Sequence, residues 1–236
     1  MSSRFRNVAK VWFVLLALVY QTNAHATPEQ VDELIRTALM LDSHPEQGAI
    51  VYKNNCASCH GQKGAGHADG TVPTLAAQRL SYLVKQFADF SQNDRDSKMM
   101  HRVISRKSVN DPQTWIDVAA FINSLPPFKN VQNGKDTNLA LGEAIFREQC
   151  SSCHNEDARG DDDGFVPALR NQHYSYLLRQ MHALADGHRR NVDPDLDRFL
   201  DSIKDDEMEA TAGFLTRMHV PAKDRLKMRP DGVVND

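Results

Sequence analysis

The chain has 236 residues, enough for one large domain or two small ones, and an ordinary composition with 41% hydrophobic and 25% charged side chains. It carries 28 basic and 31 acidic side chains, which gives a formal net charge of −3. This mild acidity argues against a nucleic-acid-binding protein, which needs a basic surface, and it suits docking on basic or amphoteric protein surfaces.

The first 26 residues differ from the rest of the chain. Arg4, Arg6 and Lys10 precede an apolar run over 11–20, and Ala24-His25-Ala26 has the small-x-small form of a signal peptidase site. The run is short for a membrane span. We expect a signal peptide over residues 1–26 and an exported, periplasmic protein. The mature chain then keeps 25 basic and 31 acidic side chains. The alternative is an uncleaved membrane anchor.

Helical patterns dominate the remaining chain. Residues 28–41 are predicted to form an amphipathic helix with Pro28 in its first turn. Further along, the strand signal is poor, and apolar residues recur at helical spacing. One such face occurs in each half and ends at a proline. The two faces are Trp115, Val118, Ala119, Ile122 and Leu125, and Met208, Thr211, Ala212, Leu215 and Met218. The predicted fold class is all-α.

The pattern Cys-x-x-Cys-His occurs twice, at residues 56–60 and 150–154. Thiols three residues apart on a helical turn can reach the two vinyl groups of a porphyrin, and the next histidine can ligate the iron. We therefore predict two haem c groups. The attachment residues are Cys56, Cys59, Cys150 and Cys153, and the proximal iron ligands are His60 and His154.

Two other chemistries also use cysteine pairs. A thioredoxin-like disulfide oxidoreductase needs a β-α-β setting, which this sequence does not predict. A zinc site needs four thiolates together, whereas these two pairs occupy equivalent places in a repeat. Both alternatives are less consistent with the sequence than haem attachment.

The two motifs belong to a longer internal duplication. At an offset of 94 the halves match without a gap over a long stretch. Matched pairs are Gly48/Gly142, Tyr52/Phe146, Gly66/Gly160, Pro73/Pro167, Gln78/Gln172, Tyr82/Tyr176, Gln86/Gln180 and Arg95/Arg189. The stretch 126–138 contains helix-breaking residues and suits a linker. We expect an extra helix plus a first haem domain over 27–129, and a second haem domain with a flexible tail over 130–236.

These features resemble the dihaem cytochrome c4 family. The similar segments are 56–61, 72–78, 82–86 and 119–122, with matching pieces in the second half. The resemblance implies two class I cytochrome c domains related by an approximate twofold axis, with haems close enough to exchange electrons. It also implies that the carbonyls of Pro73 and Pro167 accept the Nδ1 protons of the proximal imidazoles.

The resemblance further implies a methionine as the sixth ligand of each iron. In the first half the expected loop holds Met99 and Met100, and the family spacing favours Met100. The second half departs from this pattern. The offset of 94 places Pro194 opposite Met100, an alternative register in this loop places Leu196 there, and neither side chain can ligate iron.

His188, at the start of the same second-half loop, is our candidate for the distal ligand of the second haem. Bis-histidine ligation would lower the potential of that haem relative to the first. The alternatives are a solvated His188 and an iron that is five-coordinate or water-ligated. Met181 and Met208 are interpreted as core residues, and Asp161–Asp163 as an exposed acidic turn in preference to a calcium site. Gln78, Gln172, Tyr82 and Tyr176 are expected to contact haem edges.

Function follows from these sites and from the resemblance. We expect a periplasmic electron carrier, without substrate chemistry, that serves redox proteins such as a terminal oxidase, a bc1-type complex or a dehydrogenase. Membrane association is expected only through partners or an uncleaved signal. The alternative is a haem enzyme or a gas or redox sensor, in which an open second haem is fed by the first. A third interpretation is a haem-bearing subunit of a larger dehydrogenase or oxidase.

Overall fold

The computed structural model describes residues 27–134, 138–189, 191 and 193–218. The signal peptide expected over 1–26 and the tail expected over 220–236 lie outside these residues. The described part contains eleven α-helices and, besides them, one π-helical turn and two isolated β-bridges. The all-α prediction is confirmed.

Each half contains a helix before its haem motif, a short helix within it and further helices after it. The first half has α1 (Pro28–Leu39), α2 (Pro45–Asn55), α3 (Ala57–His60), α4 (Leu80–Gln92), α5 (Lys98–Ile104) and α6 (Pro112–Ser124). The second half has α7 (Leu139–Ile145), α8 (Ser151–His154), α9 (Tyr174–Ala185), α10 (Pro194–Ser202) and α11 (Asp205–Leu215). A π-helical turn, Phe146–Cys150, joins α7 to α8.

Helix α1 packs on the first half and has no counterpart among the described residues of the second. Its buried residues, Val31, Ile35 and Ala38, follow the i, i+4, i+7 spacing of one helical face. Pro28 occupies the first turn, and the Gln30 side chain accepts a hydrogen bond from the Thr27 backbone nitrogen at 2.9 Å. This face covers α4 and α6.

A glycine marks the helix crossing that organises each half. Gly48 on α2 lies directly against the backbone of α6, and Gly142 on α7 lies in the same way against α11. A methyl group at Gly48 would lie 2.8 Å from the Val118 nitrogen and closer still to the Asp117 carbonyl. The helix before each attachment motif and the last described helix of the same half can therefore approach this closely only through glycine.

The two halves have separate apolar cores. Tyr52, Trp115 and Ile122 are nearly fully buried in the first core, and Phe146 and Leu215 in the second. Cys56 packs against the first core and Cys150 against the second. Each half thus places one attachment cysteine beside its own core.

Candidate haem-binding sites

The two attachment motifs adopt the same local structure. In each one the first cysteine caps a short helix, α3 or α8, that ends at the histidine. Cys56 and Cys150 are half-buried, whereas Cys59 and Cys153 are exposed. Burial raises the pKa of the Cys56 and Cys150 thiols to about 11, so neither is a ready thiolate.

The positions of the two cysteine pairs argue against a shared zinc site. Within the described ranges, no three His, Cys, Asp or Glu side chains come together in a way that could hold a metal ion. A zinc site shared by the two motifs is therefore not formed. The prediction of separate haem sites accounts for the placement of each cysteine pair on its own helical turn.

The histidine of each motif is oriented by a proline carbonyl thirteen residues downstream. His60 Nδ1 donates to the Pro73 carbonyl at 3.2 Å, and His154 Nδ1 donates to the Pro167 carbonyl at 2.9 Å. Burial lowers the pKa of both imidazoles, which favours the neutral form that a metal requires. With Nδ1 engaged, Nε2 is the nitrogen that can ligate iron.

The loop between histidine and proline is closed by a glycine in the left-handed region. Gly66 and Gly160 have φ of 68° and 71°. Each donates its backbone N–H to the carbonyl of the motif histidine, at 2.9 Å and 3.0 Å. A methyl group at either glycine would collide with the proline carbonyl that holds the imidazole. The repeated glycines thus belong to the support of the imidazoles.

The structure distinguishes the two first-half methionines by their surroundings. Met99 is 60% exposed. Met100 is partly buried and packs against the apolar core that contains Cys56. The hydroxyl of Ser97 caps α5 by accepting from the Met100 backbone nitrogen at 3.3 Å. This packing favours Met100 over Met99 as a distal ligand, and the assignment stays a prediction.

Helix starts decide which second-half residue corresponds to Met100. Ser97 caps α5 and Asp193 caps α10, so Met100 and Leu196 each lie three residues after a cap. Buried Ile104 and Leu200 each lie seven residues after it. The two caps lie 96 residues apart, and this offset is the structural register of α5 and α10. Leucine therefore occupies the methionine position in the second half.

The second-half histidines differ in accessibility and in their partners. His188 is exposed just beyond α9, so its predicted role as distal ligand requires a loop that turns inward. The side chain of His182 lies 3.8 Å from Asp205. His173 is buried, but its Nδ1 accepts from the Gln132 backbone nitrogen at 3.0 Å and its Nε2 donates to the Ala65 carbonyl at 2.8 Å.

Two glutamines join the halves close to the histidine-supporting loops. Gln78 donates to the Ala168 carbonyl at 3.0 Å and accepts from the Ala168 nitrogen at 2.7 Å. Gln172 makes the same pair of bonds with Thr74, at 2.9 Å and 3.0 Å. Both glutamines thus bridge the two domains, and their expected contact with haem edges stays a prediction.

A second reciprocal network lies between α4 and α9. The Arg95 guanidinium donates to Tyr176 at 2.9 Å and Gln180 at 2.7 Å, and the Arg189 guanidinium donates to Tyr82 at 3.0 Å. The backbones of the two arginines face each other in an antiparallel bridge. In the sequence, the arginines and Gln180 were repeat matches without a role, and the two tyrosines were expected at haem edges. Their recurrence in both halves drew attention to them but did not reveal the interface.

One carboxylate breaks the symmetry of this network. Asp89 is completely buried and lies 2.8 Å from Lys85, and the Asn191 side chain also donates to it. Burial raises the pKa of Asp89 against the opposing influence of Lys85. Lys85 thus pairs with the buried carboxylate, whereas the two buried guanidiniums bond to neutral side-chain oxygens.

The acidic turn at Asp161–Asp163 also serves the domain interface. The Asp162 carboxylate accepts from the Ser81 backbone nitrogen at 3.1 Å and lies 3.4 Å from the Arg79 guanidinium. The Asp161 carboxylate accepts from the Gly164 nitrogen at 2.9 Å. Asp162 is thus engaged by the other half, where an exposed turn alone was expected.

The structure also bears on membrane insertion. Over the described residues, none of the helices combines the length and the apolar character that a membrane crossing requires.

Comparison with known proteins places this architecture in a family. The family model described as cytochrome c matches the chain twice, over residues 45–126 and 139–219. Cytochrome c-552 of Acidithiobacillus ferridurans is 27% identical over 150 residues, 59% of this chain and 64% of that protein. The cbb3-type cytochrome c oxidase subunit FixP of Sinorhizobium medicae is 25% identical over 158 residues, 62% of this chain and 51% of that protein. The matched segments thus span less than two-thirds of either relative.

A solved structure supports the fold. The reduced recombinant cytochrome c4 from Pseudomonas stutzeri superposes with a TM-score of 0.67 at 24% identity, covering 75% of this chain and all of that one. The predicted duplication into two helical haem-type domains therefore corresponds to a known arrangement. The chain belongs to the cytochrome c family and carries two tandem cytochrome c domains, in agreement with its resemblance to the dihaem cytochrome c4 family.

Proposed function

We propose that this protein is a periplasmic electron carrier with two covalently attached haem c groups, one in each domain. The observation that carries the proposal is the duplicated site, in which each Cys-x-x-Cys-His turn presents a histidine held by a proline carbonyl. The signal peptide over 1–26 and the domains over 27–129 and 130–236 are part of the proposal.

The residues of each domain fit the group that the family implies. Cys56 and Cys59, with their counterparts Cys150 and Cys153, would form the thioethers, and His60 and His154 would ligate iron through Nε2. Met100 would complete the first site. When bound, haem c supplies a one-electron iron couple, and a thioether ligand raises its potential.

The charge between the domains also suits haem. Lys85 pairs with Asp89, but the buried guanidiniums of Arg95 and Arg189 bond to neutral tyrosine and glutamine oxygens. Buried charge without compensation is costly. Haem propionates are carboxylates that would supply the missing negative charge, and their placement at the interface would bring the two groups toward each other.

Haem attachment is tested by the mass of the intact, exported protein. We expect two haems per chain, an N-terminus near Thr27, and one haem in a Cys150→Ala/Cys153→Ala variant. The equivalent change at Cys56 and Cys59 is the matched control and should also leave one haem. A wild-type protein with fewer than two haems contradicts the proposal.

An oxidase is the partner that the comparisons support, because one similar protein is a subunit of a cbb3-type oxidase. We expect the reduced protein to be oxidised by bacterial membranes that contain an active cbb3-type oxidase. The rate should fall with ionic strength if docking uses charged surfaces. Failure to exchange electrons with any oxidase or dehydrogenase preparation would contradict the carrier function.

One observation favours a second candidate function. Leucine stands at position 196, where the first half has Met100, and an iron without a sixth ligand can bind small molecules. A catalytic or gas-sensing second haem would bind carbon monoxide in the reduced state at one haem per chain. A carrier with two six-coordinate irons would bind none, and this titration separates the two functions.

A further inference from the structure

We propose that Met181 on α9 supplies the sixth iron ligand of the second haem, replacing the methionine that is missing at position 196. The inference rests on the proposed haem attachment and concerns a residue that the sequence analysis interpreted as core. The second haem would take its thioether ligand from α9, whereas the first haem would take its own from Met100 on α5.

The two halves carry methionine at different positions, on α5 in the first half and on α9 in the second. In the first half, Phe87 on α4 and Met100 on α5 pack in one apolar cluster with Cys56. In the second half, the residue at the Phe87 position is Met181, and Leu196 stands at the Met100 position. The helices α4 and α5 pack together, as do α9 and α10.

The equivalence of Phe87 and Met181 does not depend on the repeat offset alone. The preceding residues, Gln86 and Gln180, occupy the same structural place. The Gln86 side chain oxygen accepts from Arg95, and the Gln180 side chain oxygen accepts from Arg189 at 2.8 Å. The register of α4 and α9 is therefore set by contacts at the adjacent position.

Met181 belongs to the apolar core beside the second haem motif. It packs in the cluster that contains Cys150, Phe146 and Leu177. Leu177 and Leu184, one turn before and one turn after it, are buried, so Met181 lies on the inward face of α9. A methionine has three rotatable side-chain bonds and a polarisable sulfur, which allows the thioether to reach an iron from a helix.

The other methionines in the described part of the second half, Met208 and Met218, lie at different positions in the domain. Met208 stands at the Trp115 position on the last helix and is 2% exposed. Met218 stands at the position of Leu125. A methyl group added at Gly64 would lie 3.3 Å from a methyl carbon of Leu125. Gly64 belongs to the loop after His60, so Leu125 marks the side of the proximal histidine.

The same relation holds in the second half. Ala158 corresponds to Gly64, because Leu169 donates to the Ala158 carbonyl as Leu75 donates to that of Gly64. By its correspondence to Leu125, Met218 belongs to the proximal side. Met181 stands at the position of Phe87, which shares a core with Met100, and is the described second-half methionine left for the distal side.

The histidines are weaker candidates on the same evidence. Both ring nitrogens of His173 are hydrogen-bonded between the domains. His182 faces Asp205, and His188 is exposed. With Met181 as the ligand, both irons would have histidine and methionine as axial ligands, and both potentials would lie in the range that a thioether produces.

The test uses purified holoprotein with two readouts, the weak ferric absorption band of a sulfur–iron bond and carbon monoxide binding to the reduced protein. Wild type should show the band for two haems per chain and bind no carbon monoxide. Met181→Leu should lose half of the band and bind carbon monoxide at one haem. Met218→Leu, in the same apolar cluster, is the control and should match wild type.

Several outcomes would overturn the assignment. One is a wild-type protein whose sulfur–iron band corresponds to a single haem, whether or not the other haem binds carbon monoxide. Another is a Met181→Leu protein that keeps the full band. Should Met181→Leu not accumulate, the wild-type band count decides alone. Haem content, measured by mass, distinguishes failure of the Met181 assignment from failure of the proposed function. A protein with two attached haems and an unchanged Met181→Leu spectrum would refute only Met181 as the ligand.

Discussion

Replacing Gly48 by alanine should destabilise the first domain through a clash between backbones. The added methyl group would lie 2.8 Å from the Val118 nitrogen and closer to the Asp117 carbonyl. Because these atoms belong to the α6 backbone, no side chain can rotate away, and α2 and α6 must separate by roughly 1 Å. The contact joins the helix that precedes Cys56 to the last helix of the domain, so the strain falls on the haem-binding unit.

The size of the effect follows from two opposing contributions. Overpacking of a well-packed contact costs about 1–3 kcal/mol, and a rigid backbone neighbour places this case at the upper end. Alanine returns up to about 1 kcal/mol through its higher helix propensity. We expect a net loss of about 2 kcal/mol in the free energy of unfolding, which lowers the midpoint of thermal unfolding by about 4–8 °C for a chain of this size.

The measurement is thermal unfolding of holoprotein followed by circular dichroism. Gln47→Ala, at an exposed neighbouring position on α2, is the matched control and should remain within about 0.5 kcal/mol of wild type. Gly142→Ala should reproduce the effect in the second domain, where the methyl would lie 2.9 Å from the Thr211 nitrogen. A Gly48→Ala protein as stable as wild type would refute the close crossing.

Three further substitutions test the interface and the first site. Because burial raises the folded-state pKa of Asp89, its contribution to the free energy of unfolding should fall as pH rises from about 4 to about 7, so wild type should lose stability relative to Asp89→Asn over that range in urea titrations. Gln172→Ala leaves the buried N–H and carbonyl of Thr74 without their partner. It should lower the free energy of unfolding in urea by about 2 kcal/mol, and an unchanged free energy would exclude the bridge. Tyr52→Phe removes a 2.8 Å bond to the Gly61 carbonyl and should cost about 1 kcal/mol with haem content unchanged, and haem loss would show a larger role.

Local patterns predicted much of this protein because their geometry is local. Two cysteines and a histidine within five residues lie on one helical turn wherever that turn is placed. The prolines and polar caps that begin α1, α2, α5, α6 and α10 act within one turn of the chain. The internal repeat then predicted two similar domains, because equal sequences pack in equal ways.

The roles of recurring polar residues were not predictable in the same way. Gln78, Gln172, Arg95 and Arg189 recur in both halves, but nothing in a linear pattern says whether a recurring residue faces its own core or the other domain. The structure shows that each bonds across the interface. Hydrogen-bond partners separated by eighty residues or more become neighbours only when the domains dock.

The sequence by itself determined the two attachment motifs, the duplication and the helical class, because each depends on residues close together in the chain. Only the tertiary structure decided that Leu196 takes the position of Met100, since a loop of changed length hides the register until the helix caps are superposed. It also decided that Met181 shares a core with Cys150, because side chains from distant helices meet only after packing.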